Sequence, residues 1–383
     1  MQTVAWDLAR AFSRIGHRVT VVTAELPGRN AAFEDEGVEI VPITGTSWRR
    51  YGNNWWRGSR EAYERIASTC DVVLGVSAAA NALLPLHSQD SRSPFVMQAH
   101  GTSVGEVISK WRSRSTRQMI SSVKNIFWIA KDFKSYRKFD AIVAVGPRIA
   151  NDMRAAPTSW AVSPCKCQLI PNGIDTDVFK PDAEQRALLR ASLHWGDDTR
   201  IIVSASRLHK QKGIDLGLVA FAGLAQKLES ARYLIVGDGP ERANLEALAQ
   251  RLGVGQKVHF AGGVPREELP GFLQGADVML FTTTHVEGLP LNVLESLAIG
   301  LPCVVSSHLL KDMELGPWLT RVSPTDELAV SEALKRTLTI ETSVVSRLPE
   351  RYSLKRCAES YIDLFARLRR ERKATAGLAR RHV

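Results

Sequence analysis

Short apolar, β-branched runs alternate along the chain with longer amphipathic stretches, a pattern that predicts strands and helices in turn. Residues 1–12 open in a helix that places Val4, Leu8, Ala11 and Phe12 on one face, and Gly16 stops it. Strands are predicted at Arg18 to Thr23, Val38 to Ile43, Asp71 to Val76, Pro94 to Ala99, Ala141 to Val145 and Gln168 to Ile170. A second series runs through Arg200 to Ser206, Tyr233 to Val236, Val258 to Ala261, Val278 to Phe281 and Cys303 to Ser306. Near-continuous apolar runs of this kind suit parallel sheets covered on both faces. The expected fold class is therefore α/β, with two Rossmann-like doubly wound domains. Their bounds are read as 1–179 for the first, 180–198 for a linker and 199–350 for the second. A carboxyl-terminal helix at 351–368 is expected to cross back to the first domain, ahead of a basic tail at 369–383. Because a helix like the first normally follows a strand, the first strand of the amino-terminal sheet is expected to be missing ahead of it.

A chain of 383 residues with 44% hydrophobic content can build two such cores. No run of about 18 uncharged apolar residues occurs, and the opening lacks a basic-then-apolar leader pattern, so a cytoplasmic protein is expected. The five cysteines are scattered; Cys165 and Cys167 lack a second pair, so free thiols and no metal are expected. The net charge of +10 calls for an acidic substrate, nucleic acid or an anionic membrane as partner.

Ligands of doubly wound sheets bind beyond the carboxyl ends of the strands, so the loops that follow strands carry the candidate chemistry. After Val278 to Phe281 comes a loop and the opening of a helix. There the turn Gly288, Leu289, Pro290 and Leu291 can offer several backbone N–H groups to a phosphate, with Pro290, which has none, tolerated where a helix starts. Glu287 in the loop and Glu295 one turn into the helix flank the same place. Two acids repel a bare phosphate but suit neutral hydroxyls attached to one, so the inferred ligand is a sugar nucleotide. After Arg200 to Ser206 the chain offers Arg207 and Lys212, a fork and a point charge suited to a diphosphate. After Val236 come Gly237 and Gly239 in a tight turn, and after Ala99 comes His100.

These residues resemble those of the retaining family 4 glycosyltransferases of GT-B fold. The resemblance runs through Gly16 to Val22, His100-Gly101, Ile170 to Phe179, Arg207 with Lys212-Gly213, Gly237 to Pro240 and the Glu287/Glu295 pair. It implies metal-independent transfer of a sugar, with retention, from a nucleotide-diphosphate donor in a cleft between two domains. It further implies that Arg207 and Lys212 stabilise the leaving diphosphate, Glu295 binds ribose, and Glu287 and His100 contact the donor sugar. In the family a first strand and a Gly-rich loop precede the helix that begins this chain. Many relatives also carry a Gly-Gly-x-Pro-Glu-like loop where this chain has His308 to Leu315. Alternatives are a sugar-nucleotide epimerase of similar build and an inactive nucleotide-sugar or lipid-binding scaffold.

The positive charge concentrates in the amino-terminal half. Lys110, Trp111, Arg112, Arg114 and Arg117 precede an apolar stripe at helical spacing (Met119, Val123, Ile126, Phe127, Ala130, Phe133), with Trp128 beside it and Lys134, Arg137 and Lys138 after it. Such a stripe suits a helix lying on anionic lipid. Trp48, Arg49, Arg50, Tyr51, Trp55, Trp56 and Arg57 form a second basic-aromatic stretch, expected to hold the acceptor or touch the bilayer. With the family's frequent lipid-linked acceptors, the expected partners are a nucleotide sugar, a lipid-linked or saccharide acceptor and an anionic membrane surface. The expected place is the inner face of the cell membrane, in polysaccharide or glycolipid assembly. The Arg-rich end, from Arg367 to Arg381, lacks a recognition fold, and no nucleic acid is expected.

Overall fold

A computed structural model of the chain describes residues 2–47, 51–87, 93–105, 107, 128–285, 287–340 and 345–379. Two units divide it: Met1–Gly173 together with Leu354–Val383, and Ile174–Ser353 between them.

In the first unit the opening helix, Gln2–Arg14, is followed by strands β1 (Val19–Ala24), β2 (Phe33–Asp35) and β3 (Val38–Ile43). β1 and β3 run parallel, and β2 adds to β3 antiparallel. A second, parallel sheet has the order β4-β5-β6-β7, made by Val73–Val76, Phe95–Ala99, Ala141–Ala144 and Cys167–Leu169. The single sheet expected for this half is thus two sheets among the described residues, because β1 pairs only with β3 and β4 only with β5. β5 and β6 are buried throughout, as expected for strands covered on both faces.

The helix Leu354–Ala379 returns to this unit. Its Leu354, Cys357, Ala358, Tyr361, Leu364 and Leu368 recur at helical spacing and pack with Leu8, Phe12, Val96, Ala141 and Val143. The helix runs well past 368, so the segment read as a basic tail is largely helical. Arg369 pairs with Asp71 at 2.6 Å and Arg372 with Asp140 at 2.9 Å. Those carboxylates give the arginines partners on the unit's own surface, which is why this stretch does not fray up to there.

The second unit is one six-stranded parallel sheet in the order β10-β9-β8-β11-β12-β13. Its strands are β8 (Arg200–Ala205), β9 (Ala231–Val236), β10 (Val258–Gly262), β11 (Val278–Phe281), β12 (Cys303–Ser306) and β13 (Leu319–Val322). Side chains alternate between two cores: Ile201, Val203, Leu234 and Val236 face one, while Ile202, Tyr233 and Ile235 face the other. Residues 180–198 are not a loose linker. They hold the helix Ala183–Ser192, capped by Asp182, whose side chain accepts from Gln185 N. Arg186 and Arg190 of that helix reach Asp277 at 2.5 and 3.6 Å, and Asp277 also accepts Ile201 N–H at 2.7 Å. Asp277 is 4% exposed, so this carboxylate ties helix, β8 and the start of β11 at one buried point.

Candidate active site

The carboxyl ends of β8, β9 and β11 are stitched into one surface by backbone bonds. Leu208 N–H donates to Asp238 O at 2.9 Å and Glu241 N–H to Leu208 O at 3.1 Å, joining the loops after β8 and β9. The two glycines make that join possible. A Cβ on Gly237, at φ 138°, would stand 1.9 Å from Ser206 O, and one on Gly239 would stand 2.3 Å from Leu208 O. They let backbone approach backbone, which sets where Arg207 begins its exposed side chain.

The loop after β11 is tied to the same place by threonines. Thr282 and Thr283 hydroxyls donate to Gly213 O and Gln211 O, each at 2.7 Å, and Thr284 N–H reaches Gln211 O at 3.1 Å. Gly213, at φ 66°, takes the left-handed turn there, with Thr282 O where a Cβ would go. These bonds bring Lys212 Nζ to 2.6 Å from Glu287 Oε1, a part-buried ion pair across 75 residues of sequence. The predicted cation and the predicted sugar-binding acid therefore hold one another.

The helix after this loop starts later than the sequence reading placed it. It spans Leu291–Ala298 with Pro290 as its cap residue, at φ −75° and ψ 97°, so Gly288 and Leu289 lie ahead of it. Val293 N–H is already engaged by Pro290 O at 3.2 Å and Asn292 Oδ1 at 3.0 Å. Asn292 Nδ2 donates to Ala205 O at 3.0 Å, fixing the helix start against the end of β8.

Glu295 is 2% exposed, and its Oε1 lies 2.7 Å from Arg266 Nη1. Sequence reading missed Arg266, although it sits in the loop after β10 and the rule that ligands meet strand-end loops covers it. Missed too was the reach of the loop after β12. Ser306 Oγ donates to Thr283 O at 2.7 Å, and the His308 ring lies 3.0 Å from His285 O.

His100 belongs to the other unit, at the end of β5. Gln98 Nε2 donates to the Tyr361 hydroxyl at 2.8 Å, which leaves Gln98 Oε1 to accept from His100 Nε2–H at 3.0 Å. Nδ1 is then an acceptor. Burial pushes the His100 pKa down to about 4, so the ring is neutral near pH 7. A neutral acceptor suits a sugar hydroxyl and does not suit a phosphate. The depressed pKa also predicts a stability effect. The unfolded chain protonates His100 near pH 6.5 while the folded chain does not, so its contribution is present above 6.5 and lost as pH falls toward about 4. Melting temperature followed from pH 7 to pH 4 should fall less steeply in His100→Asn; an identical slope would remove His100 from the effect.

Of the residues expected at a membrane or acceptor, Lys110, Trp111, Arg112, Arg114 and Arg117 lie outside the described residues. So do Met119, Val123, Ile126 and Phe127 of the stripe, and Trp48, Arg49, Arg50 and Arg381. Trp55 is a correction. It is 6% exposed and its indole N–H donates to Ala79 O at 3.2 Å, so it anchors its helix in the core and cannot touch a bilayer. Trp56 is half-buried beside a recess. Among the described residues no helix is long and apolar enough to cross a membrane.

Comparison with solved structures places both units in the GT-B class of two Rossmann-like domains. Sucrose-phosphate synthase from Thermosynechococcus elongatus superposes with a TM-score of 0.76 at 18% identity, covering 96% of this chain and 93% of that one. Anabaena HepE in complex with UDP and glucose gives 0.69 at 16% identity, covering 95% of each. Two family models match in sequence, Glycosyltransferase Family 4 over residues 1–178 and Glycosyl transferases group 1 over residues 185–341. The chain belongs to the family 4 glycosyltransferases. One relative is the GDP-mannose-dependent alpha-(1-6)-phosphatidylinositol monomannoside mannosyltransferase of Mycolicibacterium smegmatis, 29% identical over 239 residues, 61% of this chain and 57% of the relative. Another is the alpha-monoglucosyldiacylglycerol synthase of Streptococcus pneumoniae, 33% identical over 144 residues, 37% of this chain and 32% of the relative. The matched stretches thus span about a third to a little over half of these relatives' length.

Proposed function

We propose that this chain transfers a sugar, with retention, from a nucleoside-diphosphate donor to a lipid-linked acceptor at the inner face of a membrane. The observation that carries the reading is the assembly of Arg207, Lys212, Glu287 and the start of the helix Leu291–Ala298 on three stitched strand ends. As the anomeric C–O bond to the diphosphate breaks, its electron pair goes to the leaving oxygen, the acceptor hydroxyl oxygen forms the new C–O bond, and the hydroxyl proton passes to the leaving diphosphate. Arg207, Lys212 and the amides ahead of the helix lower that barrier by facing the charge from fixed positions, with no metal assigned a part. Glu295 takes ribose hydroxyls and Glu287 those of the sugar, while neutral His100 of the first unit offers an acceptor suited to a hydroxyl. His308, tied to the loop of Glu287 by its bond to His285 O, bears on which sugar is accepted.

Relatives named for phosphatidylinositol mannosides and for diacylglycerol support a lipid acceptor. The test is calorimetric titration of the intact chain with UDP, GDP, ADP and their sugar conjugates, followed by transfer to mannosylated phosphatidylinositol and to diacylglycerol. Tight binding of one nucleotide with acceptor-dependent product is expected. Failure to bind any of them would end the reading, and an epimer or free sugar formed without acceptor would mark the epimerase instead.

A further inference from the structure

The amino-terminal unit holds a recess of 360 Å³ that the nucleotide-sugar reading leaves unused. Of its ten lining residues among those described, four, Arg60, Lys131, Lys134 and Lys138, are cationic and none is acidic. Lys131, Lys134 and Lys138 recur at helical spacing along one side of the segment at 128–138, where like charges destabilise a helix unless an anion meets them. The neighbouring acid, Asp132, feels Lys131 electrostatically but forms no ion pair with Lys131, Lys134 or Lys138 among the described residues. Asp132 accepts from the Ser103 and Tyr136 hydroxyls, and its burial raises its pKa, which places the carboxyl among partners of its own. Arg60 is pinned at the rim by its Nε–H donating to Ala82 O at 2.8 Å.

Two further observations specify what accompanies the anion. Asn81 lines the same recess, and its Oδ1 is buried with no hydrogen-bond partner among the described residues. A buried acceptor left so asks for a hydroxyl donor. Trp56 supplies an aromatic wall, with Lys131 Nζ 5.4 Å from its ring centroid and 4.6 Å from that of Trp128. Trp128 is 47% exposed and Tyr51 is 43% exposed, and such aromatics beside cations are what a lipid interface meets. The volume falls in the range of roughly 300–1,000 Å³ usual for small-molecule sites.

We infer that this recess binds a phosphate ester of a polyol: phosphate against Arg60, Lys134 and Lys138, a hydroxyl on Asn81. The inference rests on the acceptor side of the proposed function and names the headgroup chemistry that acceptor carries. The source is either the headgroup of a membrane phospholipid or a water-soluble polyol phosphate, and the experiment separates them.

The intact chain is titrated with glycerophosphoinositol, with inorganic phosphate as competitor, and is sedimented with phosphatidylcholine vesicles carrying phosphatidylinositol or, at equal charge, phosphatidylserine. Glycerophosphoinositol should bind, phosphate should displace it, and the exposed double substitution Lys134→Glu with Lys138→Glu should weaken binding by about tenfold or more. Asn81→Leu should weaken glycerophosphoinositol and leave phosphate unchanged. Preference for phosphatidylinositol vesicles marks the lipid as source; binding of the soluble ester alone marks the soluble one. Nucleotide titration of the same proteins reports the other site. A chain that binds the ester but no nucleotide keeps the recess and loses the transfer reading, and the converse loses only the recess. No binding of the soluble ester together with equal binding to both vesicles, or equal binding by the charge-reversed variant, overturns the inference.

Discussion

Lys212→Ala is expected to lower kcat by about 10²–10³ while the donor dissociation constant changes far less. Lys212 sits where the loops after β8 and β11 meet, held by Gly213 and the threonines, so its ammonium is fixed before any substrate arrives. A fixed charge facing the leaving diphosphate matters most where negative charge grows, in the transition state. The ion pair with Glu287 at 2.6 Å raises a competing account, in which Lys212 only orients that acid. The two accounts part in a double-variant cycle. If orientation is all, Lys212→Ala, Glu287→Gln and the double variant should be equally impaired, because either change already breaks the one interaction. If Lys212 also meets developing charge, its loss should cut turnover well beyond Glu287→Gln. A Lys212→Ala enzyme that loses donor affinity and keeps kcat would remove it from the chemistry.

What could be read from the sequence followed from how strongly each element is buried. β11 and β12 have the bounds their apolar runs predict, since strands in the middle of a parallel sheet must be apolar on both faces, and β3 has them too although its Glu39 is exposed and β2 pairs with it antiparallel. β2 and β13 left no such signal: Phe33-Glu34-Asp35 and Leu319-Thr320-Arg321-Val322 are edge strands that bury one face at most. The helix Ala183–Ser192 is not legible in the sequence because its two arginines look like a solvated surface, and their partner, Asp277, comes far later in the chain. The glycines at 237 and 239 were legible as a turn but not as the seam between two loops, which depends on where Ser206 and Leu208 lie. Glu287 and Glu295 were legible as a pair of acids. Their cations were not, because Lys212 meets Glu287 across 75 residues of sequence and Arg266 meets Glu295 across 29. The positions of Gln98 and Tyr361 behind His100 required the carboxyl-terminal helix to return to β5, and only Gln98 is near His100 in sequence.

Arg266 changes what the loss of Glu295 should do. A surface glutamate contacting ribose would cost only nucleotide affinity when removed, but Glu295 is 2% exposed and paired at 2.7 Å with a guanidinium whose side chain is one-third exposed (33%). Removing the acid takes a buried carboxylate partner from a partly buried cation, so Glu295→Ala should destabilise the second unit by about 3 kcal/mol, the low end for a broken buried pair because water reaches Arg266. Glu295→Gln keeps the shape and a hydrogen-bond acceptor, and should cost less. Nucleotide affinity should fall in both by about 1.5–3 kcal/mol, the worth of a charge-assisted hydrogen bond, or roughly tenfold to a hundredfold in Kd. Stability alone cannot distinguish a ribose ligand from a strut, so the deciding measurement is discrimination between a nucleoside diphosphate and its 3′-deoxy analogue. The unsubstituted chain should prefer the ribonucleotide, and Glu295→Gln should narrow that preference while Arg266→Ala, which leaves the carboxylate in place, should narrow it less. If Glu295→Gln melts early yet keeps the full preference, Glu295 serves the fold and the ribose is held elsewhere.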